Sequence, residues 1–183
     1  MRDDHAGKRE TGKAEQSRQP CAVSGCVAMG IIVLVAVISL SAPANGADKK
    51  ALKPSPRDKC TVCGMFVAKY PDWVATIAFR DGSLAFFDGP KDLFKYYHDL
   101  QRYNPAKKKS DILSMQVSDY YVLEPIDAFK AYYVIGSDVY GPMGRELIPF
   151  STETDAAEFM KDHGGNRIVT FRDITPEILK ALQ

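Results

Sequence analysis

Residues 73–100 read WVATIAFRDGSLAFFDGPKDLFKYYHDL, and this stretch decides the architecture. Trp73–Phe79 is rich in β-formers, Arg80-Asp81-Gly82-Ser83 carries the Asp-Gly of a tight hairpin, and Leu84–Phe87 returns as a second strand. Asp88 then stands where a helix cap belongs and Pro90 suits the first turn. Leu93, Phe94, Tyr97 and Leu100 recur at helical spacing. The same succession returns downstream: a strand over Ala131–Ile135, the turn Gly141-Pro142-Met143-Gly144, and a strand over Glu146–Phe150. A helix over Thr154–Asp162 follows, capped by Ser151 or Thr152 and ended by Gly164-Gly165. Both helices carry a histidine near their C-terminal end, His98 and His163. Two ββα(β)-type half-repeats, about 60–110 and 111–171, pooling their sheets with the helices on one face, predict a small α+β domain. Between and after them, Ile112–Val117, Tyr120–Leu123 and Arg167–Phe171 read as strands, with a break at Glu124-Pro125. Thr175 and Pro176 open a last short helix.

Upstream of this body the chain changes character. Residues 1–26 form a polar extension without periodicity. Residues 27–44 hold the apolar run Val27–Leu40 and then Ala42-Pro43-Ala44, which is the pattern of a signal-peptide core or an N-terminal membrane anchor. Val23-Ser24-Gly25-Cys26 has the letters of a lipobox, but its apolar run follows the cysteine instead of preceding it. Residues 45–59 make a charged, proline-bearing linker, so the folded body spans 60–183. An exported, periplasmic location follows, either free after cleavage or held by the anchor.

Of the 183 residues, 45% are apolar and 10% aromatic, enough for a packed interior. The formal net charge is +1, and from Asp48 onward Lys/Arg and Asp/Glu are equal in number. A neutral body excludes nucleic acid as the natural partner.

The chemistry gathers at Cys60-Thr61-Val62-Cys63-Gly64-Met65. Two thiols three residues apart, with a thioether two further on, make a soft donor set suited to Cu(I). Thiolates alone would suit Zn(II) as well, whereas a thioether favours the cuprous ion. Met143, bracketed by glycines on its turn, is a second thioether with little apolar company, and His163 is a further candidate ligand. A disulfide closing so short a loop would be a poor staple. Two rival readings use the same C-x-x-C pair. One is a thiol-disulfide oxidoreductase, which needs a depressed thiol pKa at a helix start. The other is a structural zinc module completed by His98 and His163. The other two cysteines, Cys21 and Cys26, precede the apolar run and belong to no common site with Cys60 and Cys63.

Taken together, Cys60-Thr-Val-Cys-Gly-Met65, Gly141-Pro-Met-Gly144, Glu146-Leu-Ile-Pro-Phe150 and His163-Gly164-Gly165 resemble the NosL family, accessory proteins of nitrous-oxide reductase. The resemblance covers about Cys60–Phe171. It implies a periplasmic, non-enzymatic Cu(I) chaperone that helps to assemble the reductase's copper–sulfur centre, with an ATP-driven (ABC-type) membrane assembly complex as docking partner. It also implies a fold of two ββαβ-like halves, and it maps copper binding onto Cys63, Met65 and Met143, with Cys60 and His163 as further candidates. The family's lipid attachment has no counterpart after the apolar run in this chain.

Overall fold

The computed structural model describes residues 52–183. The polar extension, the apolar segment, Cys21 and Cys26 lie outside the described residues. Nine strands and four α-helices follow in order among the described residues: β1 (Ala75–Phe79), β2 (Leu84–Phe87), α1 (Pro90–His98), α2 (Leu100–Tyr103), β3 (Ile112–Ser118), β4 (Pro125–Asp127), β5 (Tyr132–Ile135), β6 (Tyr140–Gly141), β7 (Gly144–Arg145), β8 (Ile148–Phe150), α3 (Glu153–Asp162), β9 (Arg167–Thr170) and α4 (Pro176–Ala181).

The strands do not pool. They form a four-stranded sheet in the order β2-β1-β3-β4, a three-stranded sheet in the order β8-β5-β9, and a separate β6-β7 ribbon. In both larger sheets the first strand is central, its hairpin partner lies on one side, and the strand that returns after the helix pairs on the other. Aromatic side chains join the sheets. Tyr96 of α1 meets Phe87 of β2 edge-on, with ring centroids 5.2 Å apart, and Phe94 of α1 meets Tyr133 of β5 at 5.3 Å. The helix thus bridges both sheets within one core that also holds Ile77, Met115, Leu179 and Leu182. Alternation along β5 sends Tyr133 into that core. Val134 faces a second cluster with Ile148, Phe150, Ala156 and Phe159 beneath α3.

Two local expectations change. Tyr120–Leu123 is a turn, not a strand. Asp119 Oδ1 accepts from the backbone N–H of Tyr121 (2.9 Å) and Val122 (3.2 Å), while its Oδ2 accepts from that of Ser151 (2.7 Å). An Asx turn so anchored outweighs the β-propensity of the residues that follow. The break at Glu124-Pro125 is displaced with it, because Pro125 opens the edge strand β4. The predicted cap of the first helix also moves by one residue. Gly89 is the N-cap and no side chain caps α1, which leaves the Asp88 carboxylate for other work. At α3 the cap is Thr152, whose Oγ1 accepts from the backbone N–H of Asp155 at 3.1 Å.

Candidate metal centre

The Cys60–Met65 stretch folds back on itself. The backbone N–H of Cys60 donates to the Met65 carbonyl (2.7 Å) and that of Gly64 donates to the Cys60 carbonyl (2.9 Å). Gly64 sits at φ +80°, where a side chain would be strained. The loop is pinned by a bridge between Lys59 and Phe66 and by Thr61 N–H donating to the Phe86 carbonyl at 3.2 Å. Phe86 lies on β2, an edge strand of the four-stranded sheet. The next residue, Phe87, pairs with Ala75 and ends β2, so Asp88 emerges beside the thiol loop before the chain turns into α1. Asp92, in the first turn of α1, reaches the same point from the helix.

The result is a four-residue cluster: Cys60 Sγ, Cys63 Sγ and one oxygen each of Asp88 and Asp92 lie within 4.8 Å of one another. Cys60 Sγ is 3.4 Å from Asp92 Oδ2; Cys63 Sγ is 3.3 and 3.4 Å from the two oxygens of Asp88. Each thiol is thus within reach of both carboxylates. Lys95 Nζ, 3.1 Å from Asp92 Oδ1, supplies a nearby cation. Cys60, Asp88 and Asp92 are only 2%, 1% and 2% exposed, while Cys63 is half-buried.

Among the described residues, Cys60 and Cys63 are both free thiols. Burial raises both pKa values: Cys63 is pushed up to about 11, partly offset by the Met65 backbone N–H directed at its sulfur. Cys60 goes further in the same direction, by burial first and then by the Asp88 carboxylate. These thiols hold their protons against the carboxylates until something displaces them. The oxidoreductase reading calls for the reverse, a thiol acidified by its surroundings. A metal ion that replaces the two protons would also relieve the crowding of acidic groups.

The other predicted ligands are distributed unevenly. Met65 closes the thiol loop and is half-buried. Met143 is 45% exposed at the tip of the β6-β7 ribbon, and its carbonyl accepts from Lys91 Nζ at 2.8 Å. Lys91 adjoins Asp92, so the ribbon is fastened to the turn that supplies a cluster carboxylate. His163 is engaged elsewhere: its Nδ1 lies 3.0 Å from Asp138 Oδ1 and its ring stacks on Phe159 at 4.3 Å. His98 Nε2 lies 2.7 Å from the Ile174 carbonyl, and burial lowers the pKa of its ring. Neither histidine completes the thiol pair; Asp88 and Asp92 take that place. Asp88 carried a sequence signal, but for a helix cap. Asp92 carried none beyond an acidic residue in a first turn, which the helix dipole alone explains.

A profile of the NosL family matches residues 51–179. The chain belongs to the NosL family. It is 30% identical over 128 residues to the copper-binding lipoprotein NosL of Stutzerimonas stutzeri, a match covering 67% of this chain and 65% of that protein. Its fold is similar to the crystal structure of the copper chaperone NosL from Shewanella denitrificans, with a TM-score of 0.60, 25% identity, and coverage of 70% of this chain and 98% of the other. The solution structure of apo-NosL from Achromobacter cycloclastes is 29% identical over 57% of this chain and 87% of its own, with a TM-score of 0.41. Among the described residues of this NosL protein, no helix is long and apolar enough to cross a membrane.

Proposed function

We propose that this NosL protein is a non-enzymatic chaperone for Cu(I), which it receives and hands on by ligand exchange outside the cytoplasm. The observation that carries the reading is the pairing of a buried thiol, Cys60, with a half-exposed one, Cys63, in one cluster. The buried sulfur retains the ion, and the open one admits an incoming ligand. Thioethers from Met65 and Met143 add soft donors that favour the cuprous state. Family relatives named as copper-binding and copper-chaperone proteins support copper as the cargo. Delivery to the copper–sulfur centre of nitrous-oxide reductase, through its membrane ABC-type assembly complex, is the destination that family membership suggests. The apolar segment at 27–44 would act there as export signal or tether.

The test is competition against a cuprous chelator under reducing, oxygen-free conditions. Met143→Leu keeps the volume and removes the thioether, so we expect apparent Cu(I) affinity to fall about tenfold or more, with thermal stability preserved. Unchanged affinity would remove Met143 from the site.

A second reading has its own observation. Two thiols and two carboxylates are also a donor set for a divalent ion such as Zn(II), which accepts Cys and Asp together. Asp88→Asn and Asp92→Asn separate the two. With Cu(I) as cargo, each variant is expected to retain cuprous affinity within about tenfold, since a hard carboxylate oxygen is a poor donor for the soft ion and the two side chains then only stand beside the thiolates. With Zn(II) as cargo, each loses a ligand and zinc binding collapses, which equilibrium dialysis against both ions would reveal.

A further inference from the structure

Among the described residues, the β6-β7 ribbon pairs with no other strand. A two-stranded hairpin of this size is marginal on its own in water, so its tip needs an external anchor. That anchor is a lysine with almost no solvent contact. Lys91 is 2% exposed, and its Nζ donates to the carbonyls of Met143 (2.8 Å), Arg145 (2.6 Å) and Leu182 (3.3 Å). An ammonium group has three donors, and here three main-chain acceptors meet it. Glu146, 3% exposed, completes the unit. Its Oε1 accepts from the backbone N–H of Lys91 at 2.6 Å and from that of Leu147 at 3.0 Å. Space for its carboxyl is left by two glycines: a Cβ on Gly89 would lie 2.6 Å from Glu146 Oε2, and one on Gly141 would lie 3.0 Å from Glu146 Cγ.

Burying a lysine and a glutamate is an inefficient way to stabilise a fold, because an apolar pair of similar volume often does as well. What these side chains do provide is geometry. Lys91 grips the residue that bears the thioether, and Glu146 grips the backbone of Lys91, one residue from Asp92. We propose that Lys91 and Glu146 are positioning residues that hold Met143 in place relative to the Cys60–Cys63 pair for Cu(I) capture. This rests on the reading of Met143 as a copper ligand.

The full chain is tested with Cu(I) alone as probe. Lys91→Leu, which removes the ammonium without adding a sulfur, is expected to weaken cuprous binding by about 10- to 100-fold, the range seen when groups that orient ligands are removed. X-ray absorption at the copper edge should lose the same sulfur scatterer that Met143→Leu loses. The double variant should bind no more weakly than Met143→Leu alone, because both changes remove one contact. Glu146→Gln keeps the Oε1 acceptor and should bind as the unmodified protein does. If Lys91→Leu does not fold, Gly141→Ala, which crowds Glu146, replaces it with the same expected non-additivity. Full affinity in the folded positioning variant, or losses that add to that of Met143→Leu, would overturn the proposal while leaving copper binding intact. No effect of Met143→Leu itself would defeat the ligand reading and the positioning role together.

Discussion

Serine in place of Cys60 or Cys63 is expected to lower Cu(I) affinity by more than the roughly 100-fold ceiling typical of groups that merely orient ligands. A hydroxyl is a hard donor that stays protonated at neutral pH, so neither change leaves a usable ligand at that corner of the cluster. The two variants should differ in one respect. Cys60 is buried, and a serine there trades a thiol facing Asp92 Oδ2 at 3.4 Å for a shorter hydroxyl bond in the same place. Its apo stability should shift by no more than about 1 kcal/mol, because the hydroxyl finds a partner. Cys63 is half-exposed, so Cys63→Ser should leave stability untouched yet slow the transfer of copper to a competing thiol as well. Chelator competition gives the affinities and stopped-flow transfer to a small dithiol gives the rates. Cuprous affinity within tenfold of the unmodified protein in both variants would sink the thiolate site.

How far that site could be read without coordinates depends on which residues act locally. Cys60, Cys63 and Gly64 announce themselves, since C-x-x-C followed by glycine is a loop written in consecutive letters. The first helix, its Pro90 and the Asp81-Gly82 hairpin are local for the same reason, and they stand where the pattern put them. Asp88 and Asp92 become partners of the thiols only through the Ala75↔Phe87 register and the bond from Thr61 to Phe86, contacts that no window of adjacent residues contains. Asp88 was drawn to the cap position by a true preference. That preference lost because Gly89 is the residue that occupies the cap, leaving the carboxylate to meet the thiols. That the sheets stay separate was equally beyond a local reading: α1 joins them through long-range aromatic contacts, Tyr96 to Phe87 and Phe94 to Tyr133. Tyr120–Leu123 shows the limit of propensity. The β-forming side chains are present, but Asp119 fixes the backbone ahead of them, and Leu123 takes φ +57°.

The buried Glu146 yields the second large effect, on stability against pH. Burial pushes its carboxyl up to about 8 from an ordinary value of 4.5, and the bonds from Leu147 and Lys91 only partly oppose that shift. In the folded protein the group therefore keeps its proton well above the pH at which the unfolded chain has lost it. Between those two values the native state binds more protons than the unfolded state, so stability must fall as pH rises. The contribution is complete below about pH 4.5 and is lost as the pH passes through about 8, a change on the order of 5 kcal/mol across the window. His98 acts in the opposite sense below its ordinary pKa. Its pKa is lowered by burial, so the unfolded state binds the extra proton there. The clean measurement is accordingly a difference. Glu146→Gln imitates the neutral carboxyl and should match the unmodified protein at about pH 5. At about pH 8 it should be more stable by a few kcal/mol, as read from urea unfolding of the metal-free, reduced protein. Parallel stability curves for the two proteins would mean that Glu146 is ionised in the fold.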